Sequence, residues 1–270
     1  MDIANLKAKA KVIRRLIIEM ITEAGSGHPG GSLSCVEIIT CLYFHIMRHR
    51  PEEPNWADRD RFILSKGHCC PTLYSALALS GYFDLSHLKT LRRLGSILQG
   101  HPDMLTTPGI EVSTGSLGQW FSVAGGMALS AKIDKSDSRI YVLLGDGETQ
   151  EGQVWEAAMS AAHYRLSNLT AFLDYNKLQI DGRVEDIMAI EPVRLKWEAF
   201  GWDVAEINGH SIPEIIESCD EAKSSNKPSM IIAHTIKGKG VSFMEGKAEW
   251  HGVAPTKDEA ERALLEIENG

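Results

Sequence analysis

Along residues 2–24, Ile13, Leu16, Ile17, Met20 and Ile21 recur at spacings of three and four, with basic residues between them. That period predicts an amphipathic helix ended by Gly25, its polar face in solvent. Further along, the pattern changes to short β-branched or apolar runs at 139–144, 169–173, 202–205 and 230–233. Helical stretches near 150–164, 193–200 and 211–223 separate them. Strand and helix in alternation predict βαβ units, and so an α/β fold with a parallel sheet flanked by helices on both faces. Such folds place their sites at the carboxyl ends of the strands, which directs attention to the loops after Leu144, Leu173 and Ala233.

Composition narrows the class without naming a function. Of 270 residues, 43% are hydrophobic and 24% charged, a balance that excludes disorder and fibrous repeats. The Pro-rich stretch Arg50-Pro51-Glu52-Glu53-Pro54-Asn55 is too short to be a linker, so residues 1–270 read as a single domain. A formal charge of −8 opposes a non-specific grip on nucleic acid or an anionic membrane. The chain holds no run of about 18 apolar residues, and its start, Met1-Asp2-Ile3-Ala4-Asn5, lacks the pattern of a secretory signal. A cytoplasmic protein is expected. Cys35, Cys41, Cys69, Cys70 and Cys219 form no CxxC pair and are an odd number, which fits reduced thiols better than a disulfide framework or a structural zinc site.

After Leu144 the chain reads Gly145-Asp146-Gly147-Glu148-Thr149-Gln150-Glu151-Gly152, a glycine-flanked carboxylate between a strand and a helix. Glycine lets the backbone approach a phosphate, a helix start offers free N–H groups, and an aspartate can hold a divalent cation that bridges phosphate oxygens. Gln150 replaces the third glycine of a dinucleotide fingerprint, and no Gly-Lys-Ser/Thr follows to make a Walker loop. Alone, the segment reads first as a tight strand-to-helix turn with an N-terminal acid. The next predicted strand ends in Asp174-Tyr175-Asn176-Lys177-Leu178, so a neighbouring strand end offers a second oxygen donor, Asn176, and a backbone carbonyl just beyond it.

Gly-Asp-Gly, a helix, a strand and then Asn resembles the signature of thiamine diphosphate enzymes. Ser26-Gly27-His28-Pro29-Gly30, Ser65-Lys66-Gly67-His68, Gly100-His101-Pro102-Asp103, Thr114-Gly115-Ser116-Leu117-Gly118-Gln119 and Trp250-His251-Gly252 sharpen the likeness. Together they resemble the N-terminal, diphosphate-binding half of transketolases, over nearly the whole chain. The resemblance implies the thiamine diphosphate-binding fold. It implies Asp146, Asn176 and the Leu178 carbonyl as ligands of Mg2+, with Ca2+ and Mn2+ chemically acceptable. It places His68, His251, Gly147 and the backbone around Gly115 and Ser116 at the diphosphate, and Leu117 beside the pyrimidine. It sets His28 and His101 toward the thiazolium and the substrate hydroxyls, and Glu151, with Glu156 as a second candidate, at a subunit interface near the cofactor. Glu151 and Glu156 read otherwise as a helix-start acid and a solvated glutamate. Imidazoles suit ketol transfer, which needs hydroxyl recognition and proton shuttling near neutral pH.

Ile236-Lys237-Gly238-Lys239-Gly240-Val241 has two readings, a loop folded over an anion and an exposed mobile loop; its form resembles both bacterial split transketolases and deoxyxylulose-phosphate synthases. Asn208-Gly209-His210 departs from a family turn that opens with aspartate and is left outside the site. Cys69 and Cys70 read as small packing residues. In the family a second domain supplies the glutamate that activates the aminopyrimidine, and after His251 only the charged segment 257–268 follows. The resemblance thus implies one half of a split transketolase, of bacterial or archaeal type, active with a C-terminal subunit that carries the pyrimidine-binding domain. By analogy the assembly is a heterotetramer with two copies of each chain, moving a two-carbon ketol unit between sugars or sugar phosphates, by default in the pentose phosphate pathway. The alternatives are an alpha-type subunit of a 2-oxo acid dehydrogenase and a non-catalytic binding module that retains the fold.

Overall fold

The computed structural model describes residues 2–270. The first part of the chain forms α1 (Ile3–Ala24), α2 (Pro29–Ser34), α3 (Val36–Cys41), β1 (Arg61–Leu64), α4 (Cys70–Ser80) and α5 (Gln119–Ile133). Then come β2 (Ile140–Gly145), α6 (Gly152–His163), β3 (Leu169–Tyr175), the short pair β4 (Leu178–Gln179) and β5 (Gly182–Arg183), α7 (Val184–Ile187) and α8 (Val193–Ala199). The last part holds β6 (Asp203–Asn208), α9 (Ile212–Ser224), β7 (Ser229–His234) and α10 (Lys257–Asn269).

Five strands form one parallel sheet in the order β1-β2-β3-β7-β6. In β1, β2, β3 and β7 successive residues face opposite ways and are largely apolar and buried on both sides, as a sheet covered on both faces requires, whereas the edge strand β6 exposes Asp203, Glu206 and Asn208. Phe62, Leu64, Tyr141, Leu143, Phe172 and Ile231 pack under α1, α3, α4, α9 and α10. Ile63, Val142, Leu144, Leu173, Met230 and Ile232 pack against α5, α6 and α8, where Trp197 and Phe121 fill the centre. The register aligns Gly145 with Asp174 and Asp174 with Ala233, so the β2, β3 and β7 loops leave one edge together. Leu64 pairs Leu143, which adds the loop after β1.

Four of these strands lie where the apolar runs predict them, each to within one to three residues at either end, and so do the helices α1, α6, α8 and α9. The pattern did not predict β1, α4 or α5. β1 has only four residues, and α4 is buried on nearly every side, so neither shows a one-faced period. α5 carries apolar residues all round and Gly125-Gly126 at its middle. Gly25 ends α1 in the left-handed region, at φ +63°. The polar face of α1 is not wholly solvated, because Arg14 turns into an ion pair with Glu37 of α3. All five cysteines are free and buried, as expected of packing thiols. Among the described residues no helix is long and apolar enough to cross a membrane.

Candidate active site

Beneath the sheet's carboxyl edge lies a buried polar floor. Lys66, from the loop after β1, forms an ion pair with Asp174 at the end of β3. Ser34 of α2 and Thr235 after β7 also donate to the Asp174 carboxylate, and Lys66 Nζ reaches the Gly31 carbonyl at 3.0 Å. Burial opposes ionisation of Asp174, but Lys66 and these donors outweigh it and hold the carboxyl below its ordinary value. Four segments distant in sequence are tied at one point. A second tie is Glu148, buried in the turn after β2, which accepts from Ser65 Oγ and from the backbone N–H groups of Gly118 and Gly145, the latter two at 3.0 Å. Its place inside the glycine-rich segment was the available sequence signal, but a buried glutamate is not distinguishable there from a solvated one.

Above the floor three imidazoles form a triangle, with ring centroids 5.1 Å (His28–His68), 5.4 Å (His28–His251) and 5.2 Å (His68–His251) apart. Pro29 starts α2 immediately after His28, and the turn Gly67–Cys69 sets His68 at the entry to α4. A Cβ on Gly31 would lie 2.7 Å from Cys69 Sγ and 3.6 Å from His68 Nε2, so the glycine lets α2 approach the ring. His101 is more exposed, and its ring lies against Gly115, where a Cβ would stand 3.2 Å from His101 Cδ2. Burial first, then the charges of Arg92, His101 and Lys237, lower His28 to about 4. Burial and Lys237 take His251 down to about 3, and His68 and His101 move the same way, each chiefly through burial. At neutral pH the cluster is therefore uncharged, and each ring has one nitrogen to donate and one to accept.

Beside the triangle, Asp146 opens the turn Gly147–Gln150. Its Oδ1 accepts from Gly147 N at 2.8 Å and its Oδ2 from Lys177 N, which fastens the β2 turn to the Asn176–Leu178 segment. Asn176 Oδ1 accepts from Leu178 N at 3.1 Å. Burial, then the nearby Asp174, push Asp146 up to about 7 against the pull of the two backbone N–H groups. A cation at this carboxylate would relieve that cost. The candidate donors are a carboxylate, an amide oxygen and a carbonyl, a hard oxygen set suited to Mg2+ or Ca2+. Among the described residues no group of three or more His, Cys, Asp or Glu is placed to hold a metal.

Lys237 belongs with these residues. It is 2% exposed, and its Nζ lies 2.9 Å from His251 Nδ1 and 3.4 Å from the Leu178 carbonyl. Of the two readings of this loop, exposure fails for Lys237; Lys239 instead pairs with Glu245 at 3.2 Å, partly in solvent. Three buried polar atoms around the rim lack hydrogen-bond partners, namely His28 Nδ1, Thr114 Oγ1 and Gln179 Nε2. Gln179 lies over Gly147, where a Cβ would meet its Oε1 at 3.1 Å. Unpaired buried polar atoms are costly, and a polar ligand seated among the imidazoles, Lys237 and the Gly147 turn could satisfy them. The site thus fits a diphosphate with its divalent cation.

The remaining candidates stand at the margin. Ser116 and Leu117 are exposed on the loop before α5, Leu117 at 37%. Glu151 occupies the position before α6 without capping that helix through its side chain, and packs over Gly118. Glu156 is exposed on α6.

Comparison with known proteins places this geometry. The family described as "Transketolase, thiamine diphosphate binding domain" matches residues 6–267. The chain is 51% identical to the 6-deoxy-6-sulfo-D-fructose transketolase subunit SqwG of Clostridium sp. (strain MSTE9), over 98% of this chain and 96% of that protein. It is 47% identical to an apulose-4-phosphate transketolase subunit of Phocaeicola vulgatus, over 99% of this chain and 95% of that one. The crystal structure of Campylobacter jejuni transketolase superposes with a TM-score of 0.94 at 38% identity, covering 99% of this chain and 43% of the larger protein. The chain belongs to the transketolase family, matching the thiamine diphosphate-binding domain found at its N-terminal end.

Proposed function

We propose that this chain is the N-terminal subunit of a split transketolase. With a partner subunit carrying the pyrimidine-binding domain, it moves a two-carbon ketol unit from a ketose or ketose phosphate to an aldose or aldose phosphate. The observation that carries the reading is the triangle of His28, His68 and His251 beside Asp146 and Lys237, in a chain that spans nearly the full length of two transketolase subunits. Those relatives do not favour the 2-oxo acid dehydrogenase reading, and with the intact donor set they do not favour a non-catalytic module.

Residues 1–270 serve as one diphosphate- and metal-binding domain. Asp146, Asn176 and the Leu178 carbonyl would hold Mg2+, with Ca2+ or Mn2+ able to replace it. His68, His251, Gly147, Gly115, Ser116 and Lys237 would hold the diphosphate, with Leu117 against the pyrimidine and Glu151 facing the second subunit. Thiamine diphosphate supplies a nucleophilic carbon that carries the two-carbon unit between sugars. His28 and His101 orient substrate hydroxyls and pass protons at the hydroxyls of the bond being broken or made. Their neutrality at pH 7 leaves each ring one donor and one acceptor for that exchange. The carbohydrate is a pentose phosphate pathway sugar or a specialised one, since one relative is named for a sulfosugar and another for apulose 4-phosphate. We place the assembly in the cytoplasm, with two copies of each chain.

The test is ketol transfer from xylulose 5-phosphate to ribose 5-phosphate with thiamine diphosphate and Mg2+, by this chain alone and mixed with the chain encoded beside it. Activity confined to the mixture supports the reading, and activity of the single chain overturns the split site. If neither is active, the same pair assayed with sulfonated and branched sugars, and then with 2-oxo acids, decides between a specialised transketolase and the alternatives.

A further inference from the structure

Lys237 enters the site from a loop that is gripped on its other side. The Ile236 N–H donates to His210 Nε2 at 2.9 Å. Because that nitrogen accepts, the ring proton sits on Nδ1, which donates to Glu37 Oε2 at 3.0 Å. Oε1 of Glu37 receives the Arg14 guanidinium at 2.6 Å, and Arg14 Nε donates to the Lys239 carbonyl at 3.0 Å. The chain of contacts begins at Ile236 and returns to the same loop at Lys239, with Lys237 between the two grips. All three side chains are 10–12% exposed. Burial alone would raise the Glu37 carboxyl, but Arg14 and His210 outweigh it and keep it ionised.

Each part of the surrounding sequence serves this arrangement. Gly240 sits at φ +95°, and a Cβ there would come within 2.9 Å of Arg14 Cδ. A Cβ on Gly209 would strike Thr235 Cγ2 at 2.5 Å. Asn208 Oδ1 accepts from His210 N at 3.0 Å, which an aspartate carboxylate could do equally. On the site side, Gly238 N donates to the Gly30 carbonyl at 2.9 Å, so the loop is pinned against the segment that carries His28. Arg14, Glu37, His210 and Lys239 line a surface groove of about 600 Å³ to which none of the site histidines contributes.

We propose that Arg14, Glu37 and His210 are positioning residues that hold the 236–240 loop and thereby set Lys237 at the diphosphate. This rests on the functional reading above. None of the three touches the reacting atoms; they act through the loop, and breaking the ring frees the Lys237 backbone at one end while its side chain is intact.

The experiment compares wild type, His210→Phe and His210→Gln in the complex with the partner chain. The Phe variant removes both ring nitrogens, whereas Gln keeps an acceptor for the Ile236 N–H. Two quantities are measured: amide hydrogen exchange across 236–241, and affinity for thiamine diphosphate with Mg2+ by calorimetry. In the Phe variant exchange quickens and affinity falls, each by about tenfold, and Gln restores most of both. In a Lys237→Met background, His210→Phe brings no further loss of affinity, which a general structural role would not produce. Unchanged exchange and affinity in the Phe variant overturn the proposal, as does an affinity loss that persists undiminished without Lys237. No cofactor binding by the assembled wild type overturns the functional reading instead, and a loop whose exchange still depends on His210 tells the two failures apart.

Discussion

At the residue scale the site depends on groups whose ionisation the fold has moved. His28 is lowered to about 4 by burial and then by Arg92, while an unfolded chain protonates its histidines near 6.5. Between those values the unfolded state binds more protons than the folded one, so stability falls as pH drops through that window and is unaffected above it. Urea midpoints measured from pH 7.5 to 4 should decline in the wild type and decline less steeply in His28→Gln, which has no proton to take up. An equal slope in both would remove His28 from the explanation. In the proposed site Asp146 would answer to a cation instead. Asp146→Ala takes away the one carboxylate of the oxygen set, and calorimetry should then show no metal-dependent binding of thiamine diphosphate to the assembled complex. Unchanged affinity would sink its assignment as a ligand. These residues were legible in the sequence because each sits in a short glycine-flanked motif. Glu148 and Lys237 were not assigned, since their roles come from partners 83 residues away in one case and 14 and 59 in the other.

At the element scale the parallel sheet makes the candidate site by register. Gly145, Asp174 and Ala233 stand level, so three loops that each carry part of the candidate site leave from a common edge. Periodicity revealed the strands that have long apolar runs and the helices with one polar face. It was silent in α4, which is enclosed on nearly all sides, and in α5, whose apolar residues run all round the helix although only Phe121, Ala124 and Ala128 are buried, because neither has a stripe to read. The ties between loops were invisible for a related reason: Lys66 and Asp174 lie 108 residues apart, and nothing local distinguishes them from solvated charges. Their pairing has a thermodynamic consequence. Lys66→Met leaves Asp174 ionisable, fully buried and facing only the Ser34 and Thr235 hydroxyls and the Asn176 amide, which should cost about 3–5 kcal/mol in urea unfolding. A loss below about 1 kcal/mol would show that the floor tolerates an unpaired carboxyl, through protonation or water, and is not the clamp described here.

At the scale of the whole molecule, the question is which surface the second subunit covers. The carboxyl edge is rimmed by apolar side chains that the fold leaves in solvent: Leu117 at 37%, Ile180 at 66%, Ile187 at 46% and Met188 at 58%. Their segments meet at the turn after β2, since Gln150 Nε2 donates to the Met188 carbonyl at 2.8 Å, Gln179 packs over Gly147 and Glu151 packs over Gly118. Exposed apolar side chains gathered beside a polar site favour association, whereas the same residues scattered singly would not. The chain covers 43% of the length of the Campylobacter jejuni transketolase, and in the proposed assembly the partner's pyrimidine-binding domain would approach from the side where Leu117 and Glu151 stand. Hydrogen exchange of this chain, alone and after mixing with its partner, should therefore slow in segments 115–119, 147–151 and 178–188. The α1–α10 face should keep its rates, because α10 already covers α1 through Ala260, Ala263 and Ile267. Protection confined to that face would move the interface away from the cofactor and exclude a shared active site, whereas protection at the rim would put Leu117, Glu151 and the Gly147 turn under the partner, where the proposed shared site would need them.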